Sequence, residues 1–218
     1  MNRAVLPGKM SEMGSAEKYM EFYRRKSGRE MAERELDFID GMLEGCKKIL
    51  SVGCGPAVIE GEMKRLHPDA DVAGIDISPE MLKHAPESVH AVIGDARNMG
   101  FRDETFDCVL YLTSLEFIPD CEKAMEETHR VLKHGGKVLV MMLNPESRYF
   151  SGKYGNEDSY IRKNIKHRDI GSMRKCITKY FDIKSEGYFL GIKDGDIVES
   201  NDPEVASLYV LEGMKNGE

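Results

Sequence analysis

Short, continuous apolar runs alternate along this chain with segments whose apolar residues recur every three or four positions. The runs predict strands that are buried on both faces of a sheet, and the periodic segments predict helices. Strands that alternate with helices at this spacing are typical of a parallel α/β sheet. The predicted strands are 49–52, 72–76, 90–94, 107–112 and 137–143, and the predicted helices are 15–26, 29–44, 56–66, 79–85, 121–132 and 170–179.

Single residues indicate where several of these helices begin and end. Gly28 is expected to break the two N-terminal helices apart, because glycine weakens a helix interior. Pro56 is expected in the first turn of the third helix, where its missing N–H costs nothing. Ser78 and Asp120 have the side chains that cap helix N-termini, and they predict the starts of the next two helices.

The alternation stops after residue 144. Residues 146–168 are polar and rich in Tyr, Lys, Arg and Asn, which predicts a loop or a small insert. Two further strands, 183–192 and 205–211, follow each other without a helix and are joined by the acidic turn 193–202. They predict an antiparallel hairpin that closes one edge of the sheet.

A chain of 218 residues predicts a single domain with a large shared core. We divide it into an N-terminal helical cap (1–45), a ligand-binding core (46–143) and a substrate-side insert with the closing hairpin (144–218). No apolar run approaches the roughly 18 residues that span a bilayer, and the N-terminus lacks the apolar region of a signal peptide. These observations favour a cytoplasmic protein that does not enter a membrane.

Charge and cysteine content narrow the range of partners. The net charge of −7 argues against nucleic-acid binding, although residues 145–185 carry ten Lys and Arg against five Asp and Glu. The five cysteines are odd in number and include no Cys-x-x-Cys pair, which argues against a disulfide framework or a zinc site. No metal is therefore expected, and the partner indicated is a small molecule. The oligomeric state cannot be read from the sequence.

The candidate chemistry lies at the carboxyl ends of the predicted strands, where open parallel sheets bind ligands. The first strand ends in Gly53-Cys54-Gly55, a turn whose backbone can approach a ligand closely. The second strand ends in Asp76, about 23 residues on, and Asp95 follows the third strand after about 19 more. Asp76 could accept hydrogen bonds from ribose hydroxyls, and Asp95 could accept one from an adenine amine.

Three neighbouring residues complete the predicted cofactor contacts. The N–H of Ala96 could donate to a ring nitrogen, Ile77 could cover the face of a base, and Tyr111 lies near the end of the fourth strand. Each signal is weak alone, since a strand-ending Asp is often only a helix cap. Their order and spacing together favour a nucleoside-containing cofactor.

At this point the chain resembles the class I S-adenosylmethionine-dependent methyltransferases of the small-molecule type, which include the methyltransferase type 11 group. The resemblance covers residues 46–143 and implies a Rossmann-like, doubly wound fold: a seven-stranded, mostly parallel sheet with a reversed last strand and helices on both faces. It also implies that the glycines lie against the methionine part of S-adenosylmethionine, Asp76 holds the ribose, and Asp95 with Ala96 holds the adenine. The matching segments are 49–57, 74–82, 94–96, 106–110 and 130–137.

Two positions depart from the family pattern. The family usually has Asp or Glu where this chain has Ser51, and that acid helps to neutralise the amino group of the cofactor. Glu60 is a candidate to supply the charge instead. The third glycine of the family is Ala57 here, and its methyl group leaves slightly less space for the close approach of the following helix.

The expected reaction is an in-line methyl transfer in which the protein mainly positions the reactants. Glu116, Tyr19 and Tyr23 are the candidates for the acceptor side, where the tyrosines could equally be packing residues. Two alternatives stay open: a module that binds an adenosyl ligand without turnover, and a nicotinamide-dependent dehydrogenase. The dehydrogenase fingerprint wants a third glycine where this chain has Val58.

Overall fold

The computed structural model describes residues 15–193 and 196–216 as a mixed sheet of eight strands with helices packed around it. The order of the strands across the sheet is β3-β2-β1-β4-β5-β8-β6-β7. The strands are β1 (Lys48–Val52), β2 (Asp71–Asp76), β3 (His90–Ile93), β4 (Phe106–Leu112), β5 (Leu132–Leu143), β6 (Phe181–Lys193), β7 (Asp196–Val198) and β8 (Ala206–Lys215).

The first five strands pair in parallel, and β8 runs antiparallel between β5 and β6. This confirms the Rossmann-like class and the reversed C-terminal strand. The short strand β7 pairs with the outer side of β6 and adds one strand to the seven that were expected. It forms within the segment that the sequence assigned to an acidic turn.

Helices cover both faces of the sheet. The helices are α1 (Ser15–Arg24), α2 (Lys26–Met42), α3 (Val58–Leu66), α4 (Pro79–Leu82), α5 (Cys121–Val131), α6 (Arg148–Tyr154), α7 (Tyr160–Asn164) and α8 (Ile170–Ile177), with a 3-10 turn at Leu115–Phe117.

Alternate residues of each strand face opposite cores, which is the period expected of a strand. Leu50 and Val52 point to the core that contains α5 and α8, whereas Ile49 points to the core that contains α2 and α3. The continuous apolar runs of the sequence therefore reflect burial on both sides.

Two predicted helix boundaries were wrong. The break between α1 and α2 falls at Arg25, and Gly28 lies inside α2, buried against α1. A Cβ at Gly28 would stand 2.1 Å from the carbonyl oxygen of Phe22, so glycine here allows two helices to approach rather than ending one. Pro56 precedes α3, which begins at Val58 after a left-handed residue, Ala57 (φ 51°).

The polar segment 146–168 contains two short helices, α6 and α7, each capped by a serine hydroxyl. The expected caps at Ser78 and Asp120 are both present, since each side chain accepts a hydrogen bond from the first turn of its helix.

The expectation about cysteines was also wrong in one respect, because Cys46 and Cys108 form a disulfide. Cys46 lies just before β1, and Cys108 lies on β4, the neighbour of β1, opposite Ile49. The pairing therefore follows from sheet topology, which cysteine spacing does not reveal. Among the described residues, Cys54, Cys121 and Cys176 are free.

Within the described residues, none of the helices combines the length and apolar character that crossing a membrane requires.

Candidate cofactor and acceptor site

A cavity of about 450 Å³ opens above the carboxyl ends of β1, β2 and β3. The predicted strand-end residues converge on it, and the wall opposite them comes from α1, α2 and the segment 149–161. Its lining includes seven of the eight predicted cofactor contacts: Gly53, Cys54, Gly55, Asp76, Ile77, Asp95 and Ala96. The volume lies within the range of small-molecule and cofactor sites.

The turn after β1 brings bare backbone to the cavity. Gly53 adopts φ 71°, and a Cβ there would stand 2.5 Å from the Cβ of Ser114, so no other residue fits without movement. Gly55 adopts φ 54°, and nothing lies within 4 Å of its missing Cβ. The glycine turn therefore leaves open space on the side where a ligand can approach.

Asp76 ties the glycine turn to the end of β2. Its Oδ2 accepts a hydrogen bond from the N–H of Gly55 at 2.8 Å, and its Oδ1 accepts one from the N–H of Ser78 at 2.7 Å. A carboxylate has about four lone-pair sites, so Asp76 can accept further bonds from a ligand. Ile77 next to it is 70% exposed and presents an apolar surface to the cavity.

Asp95 is paired with Arg97 in a bidentate ion pair. The Arg97 Nη2 lies 2.7 Å from Asp95 Oδ2, and the Arg97 backbone N–H donates to Oδ1 at 2.9 Å. These hydrogen bonds from Arg97 lower the pKa of Asp95 below its ordinary value, so the carboxylate stays ionised at neutral pH. Sequence reasoning did not identify Arg97.

Ser51 and Glu60 form a buried pair beside the turn. The Ser51 hydroxyl donates to Glu60 Oε1 at 2.5 Å, and both side chains are almost completely buried. Burial raises the pKa of Glu60 to about 7, opposed by the Ser51 hydrogen bond and reinforced by the charge of Asp76. Glu60 thus places a carboxyl group against the position where the family usually carries its acid.

Tyr111 and Glu116 do not line the cavity. Tyr111 is fully buried beneath α5, where its hydroxyl lies 2.7 Å from the Thr128 hydroxyl, so its assignment as a cofactor contact was wrong. Glu116 is also buried, and its Oε1 accepts a hydrogen bond from the N–H of Leu143 at 2.9 Å. Tyr111 points into the protein because strand residues alternate between the two faces of a sheet. Glu116 lies in the 3-10 turn Leu115–Phe117, and its side chain reaches the backbone of Leu143 on β5.

Tyr19 and Tyr23 do line the cavity, one turn apart on α1. Their ring centroids are 5.2 Å apart, and their hydroxyl oxygens are 3.4 Å apart. Burial raises the pKa of both hydroxyls above the ordinary tyrosine value, so both remain neutral at physiological pH.

Sequence reasoning missed Glu35. This side chain lines the cavity from α2, and burial with the nearby charge of Glu60 raises its pKa to about 7. Met31 and Ile39, four residues before and after it, are both buried. An acid at this spacing lies on the buried face of its helix, and that was the signal available in the sequence.

Comparison with known proteins relates the core of this site to methyltransferases. Residues 50–140 match the family model described as "Methyltransferase domain". A protein of Methanocaldococcus jannaschii described as uncharacterized is 30% identical over 176 residues, which cover 80% of this chain and 83% of that protein. A demethylmenaquinone methyltransferase of Thermotoga maritima is 29% identical over 49% of this chain, which spans 48% of that enzyme's length.

Solved structures share the fold across most of the chain. A Thermotoga maritima protein, described as an S-adenosylmethionine-dependent methyltransferase and possible histamine N-methyltransferase, has a TM-score of 0.75 and 21% identity. The match covers 92% of this chain and 95% of that one. An Archaeoglobus fulgidus methyltransferase has a TM-score of 0.72 and 17% identity over 90% of this chain and 99% of its own.

The cavity fits the cofactor of these enzymes on its own chemistry. This cofactor consists of an amino-acid tail, a ribose and a purine. The cavity offers open backbone at Gly55, carboxylates at Asp76 and Asp95, and the apolar surface of Ile77, and these groups suit those three parts. Among the described residues, no group of three or more His, Cys, Asp or Glu side chains could hold a metal ion. The chain belongs to the class I S-adenosylmethionine-dependent methyltransferases, whose cofactor is S-adenosylmethionine.

Proposed function

We propose that this protein transfers the methyl group of S-adenosylmethionine to a small-molecule acceptor, and that positioning provides most of the catalysis. The observation that carries the proposal is the convergence of the glycine turn, Asp76 and Asp95 on one cavity that extends beyond them. When bound, the cofactor supplies an electrophilic methyl group on a sulfonium sulfur.

The residues of this chain would hold the cofactor from three sides. The turn at Gly53–Gly55 would contact the methionine part, Asp76 would accept from the ribose hydroxyls, and Asp95 and Ala96 would bind the adenine. Glu60 would supply the negative charge for the amino group that Ser51 cannot supply. Arg97 would keep the Asp95 carboxylate ionised and oriented.

The acceptor would lie in the rest of the cavity, which is mostly apolar and aromatic. Tyr19 and Tyr23, two of the candidates for the acceptor side, line it together with residues of the segment 149–161. Leu190 on β6 and Leu208 on β8 also contribute, so the C-terminal hairpin takes part in the site as well as closing the sheet edge. Apolar walls exclude water and hold the acceptor near the methyl group.

The demethylmenaquinone methyltransferases among the sequence relatives support a small-molecule acceptor. Besides the Thermotoga enzyme, a Staphylococcus haemolyticus demethylmenaquinone methyltransferase is 36% identical over 43% of this chain. These named enzymes match only about half of the chain, so their substrates are not transferred to this protein. We also propose that the chain is a single domain located in the cytoplasm.

Isothermal titration calorimetry with S-adenosylmethionine, S-adenosylhomocysteine and NAD tests the proposal. We expect both adenosyl ligands to bind and NAD not to bind. Binding of NAD alone would instead support the dehydrogenase alternative. Binding of the adenosyl ligands, with no methyl transfer to any acceptor in a broad panel, would support the non-catalytic module.

A further inference from the structure

The carboxyl group of Glu35 lies in the wall of the cavity. Among the residues that the structure describes, no N–H or hydroxyl donates a hydrogen bond to it. An acid costs free energy in such a place unless a ligand compensates it. Glu35 is therefore available to bind a ligand that carries a hydrogen-bond donor or a positive charge.

Aromatic rings surround this part of the cavity. Phe22 and Tyr23 pack edge to face with centroids 5.2 Å apart, and Tyr19, one turn earlier on α1, contacts Tyr23 with its ring tilted by 52°. All three residues line the cavity on the side of α1. Aromatic faces attract cations, and the attraction is stronger where water is excluded.

The charges of the cavity favour a positive ligand. Its described lining carries four carboxyl side chains, at Glu35, Glu60, Asp76 and Asp95, and one basic side chain, Arg97. Arg97 is already paired with Asp95, and the proposed function uses Glu60 and Asp76 for the cofactor. Glu35 is therefore the acidic side chain of the cavity to which the proposed function assigns no contact with the cofactor.

We propose that the methyl acceptor is a primary or secondary amine on an apolar or aromatic body, and that Glu35 binds its ammonium form. This inference rests on the proposed function. An anionic acceptor would place a further negative charge beside Glu35 and Glu60, and a neutral acceptor would leave the charge of the Glu35 carboxylate uncompensated. The tyrosine rings would cover the rest of the cation.

Glu35 also accounts for the proton that must leave before the transfer. The ammonium nitrogen gives one proton to the Glu35 carboxylate and regains its lone pair. That pair forms the bond to the methyl carbon while the carbon–sulfur bond breaks and its electrons stay on sulfur. The products are a methylated ammonium ion, the thioether S-adenosylhomocysteine and a protonated Glu35, which returns its proton to solvent.

A matched series of ligands tests this proposal by binding alone. Calorimetry on the protein saturated with S-adenosylhomocysteine would compare 2-phenylethylamine, 2-phenylethanol, 2-phenylethanethiol and 3-phenylpropionate, which share a body and differ in the reacting group. Glu35→Gln removes the charge and keeps the shape. Glu33→Gln, at an exposed position of the same helix, is the matched control.

We expect the amine to bind about tenfold more tightly than the other three compounds, because a charged partner strengthens its hydrogen bond. Glu35→Gln should abolish that preference and lower kcat with 2-phenylethylamine, without changing the affinity for S-adenosylhomocysteine. Glu33→Gln should behave as the unmodified protein does. If the Glu35→Gln variant does not fold, the preference of the unmodified protein for the amine over the other three compounds still tests the proposal.

Three outcomes would overturn the proposal. These are equal binding or no binding of the four compounds, an amine preference that survives in Glu35→Gln, and a loss of S-adenosylhomocysteine affinity in that variant. The last outcome would assign Glu35 to the cofactor. Failure of S-adenosylhomocysteine to bind the unmodified protein would instead reject the proposed function itself, so the two failures are distinguishable.

Discussion

The hydroxyl of Ser51 at the end of β1 donates a 2.5 Å hydrogen bond to Oε1 of Glu60 on α3. In the proposed function, this acid on the helix takes the place of the acid that the family usually carries on the strand, and the serine orients it. Glu60 lines the cavity and is otherwise enclosed by the protein. This pair therefore places a titratable carboxyl group beside the glycine turn.

Glu60→Gln is expected to weaken S-adenosylhomocysteine binding by about 1.5–3 kcal/mol, the range for a hydrogen bond to a charged group. Ser51→Ala, which leaves the charge in place, should weaken it less. Calorimetric dissociation constants of the two variants check this ranking. Equal affinities of Glu60→Gln and the unmodified protein would show that the acid has a structural role only.

Affinity for the same ligand is also expected to depend on pH. Because burial raises the pKa of Glu60 to about 7, its charged form becomes populated only as the pH rises through that value. The titratable groups that interact with it are Tyr19, Tyr23, Glu35, Cys54 and Asp76, and of these Glu35 titrates in the same range. Binding should therefore strengthen between pH 6 and about 8, and Glu60→Gln should flatten this profile.

Asp76→Asn is expected to reduce cofactor affinity by about 1–3 kcal/mol, because it removes a charged acceptor and keeps the shape of the side chain. Asparagine is preferable to alanine because its one acceptor oxygen can keep one of the two bonds from the N–H groups of Gly55 and Ser78, whereas alanine loses both. Asp95→Asn should have the smaller effect. Unchanged dissociation constants with S-adenosylhomocysteine would reduce Asp76 to a turn-forming residue.

Much of the cofactor side of the cavity could be predicted from the sequence. Apolar runs indicate where the strands lie, and the carboxyl ends of parallel strands meet at one edge of the sheet. Gly53, Asp76 and Asp95 were found in this way. Tyr111 was misplaced because a strand end does not tell which face each side chain takes. Glu35 was missed because its helical spacing indicates only that it lies on the buried face of α2, and its position in the cavity depends on a tertiary contact that this spacing does not record.

Tyr111→Phe tests whether the side chain of Tyr111 is buried beneath α5 and makes no contact with the cofactor. The variant loses one buried hydroxyl that bonds Thr128, so we expect the free energy of unfolding to fall by about 1 kcal/mol. Affinity for S-adenosylhomocysteine should not change, because the side chain faces α5. Chemical denaturation and calorimetry on one preparation measure both quantities, and weaker ligand binding would restore Tyr111 to the site.

The two glycines of the turn are expected to respond differently to alanine. Gly53→Ala combines a left-handed backbone with a Cβ placed 2.5 Å from Ser114, so it should mainly lower the stability of the protein. Gly55→Ala meets nothing within 4 Å and should cost less stability. Its methyl group would stand in open space near the ligand, so the ratio of affinity loss to stability loss should be larger for Gly55→Ala.

Buried Glu116 should make the protein less stable as the pH rises. Its pKa is raised to about 7 from 4.5 by burial, so the native state binds a proton that the unfolded state releases. The stability that this neutral acid contributes is present below pH 4.5 and is lost as the pH rises through about 7. The shift corresponds to at most about 3–4 kcal/mol.

Glu116→Gln should remove this part of the pH dependence, because glutamine keeps an oxygen for the N–H of Leu143 and carries no charge. Lys166 and His167 face the same residue, but both donate their backbone N–H groups to its carbonyl oxygen, which the substitution leaves in place. Urea denaturation between pH 5 and about 8 measures the difference. We expect the variant to match or exceed the unmodified protein at the upper end, and a constant deficit at every pH would mean that the Glu116 carboxyl stabilises the fold through its hydrogen bond alone.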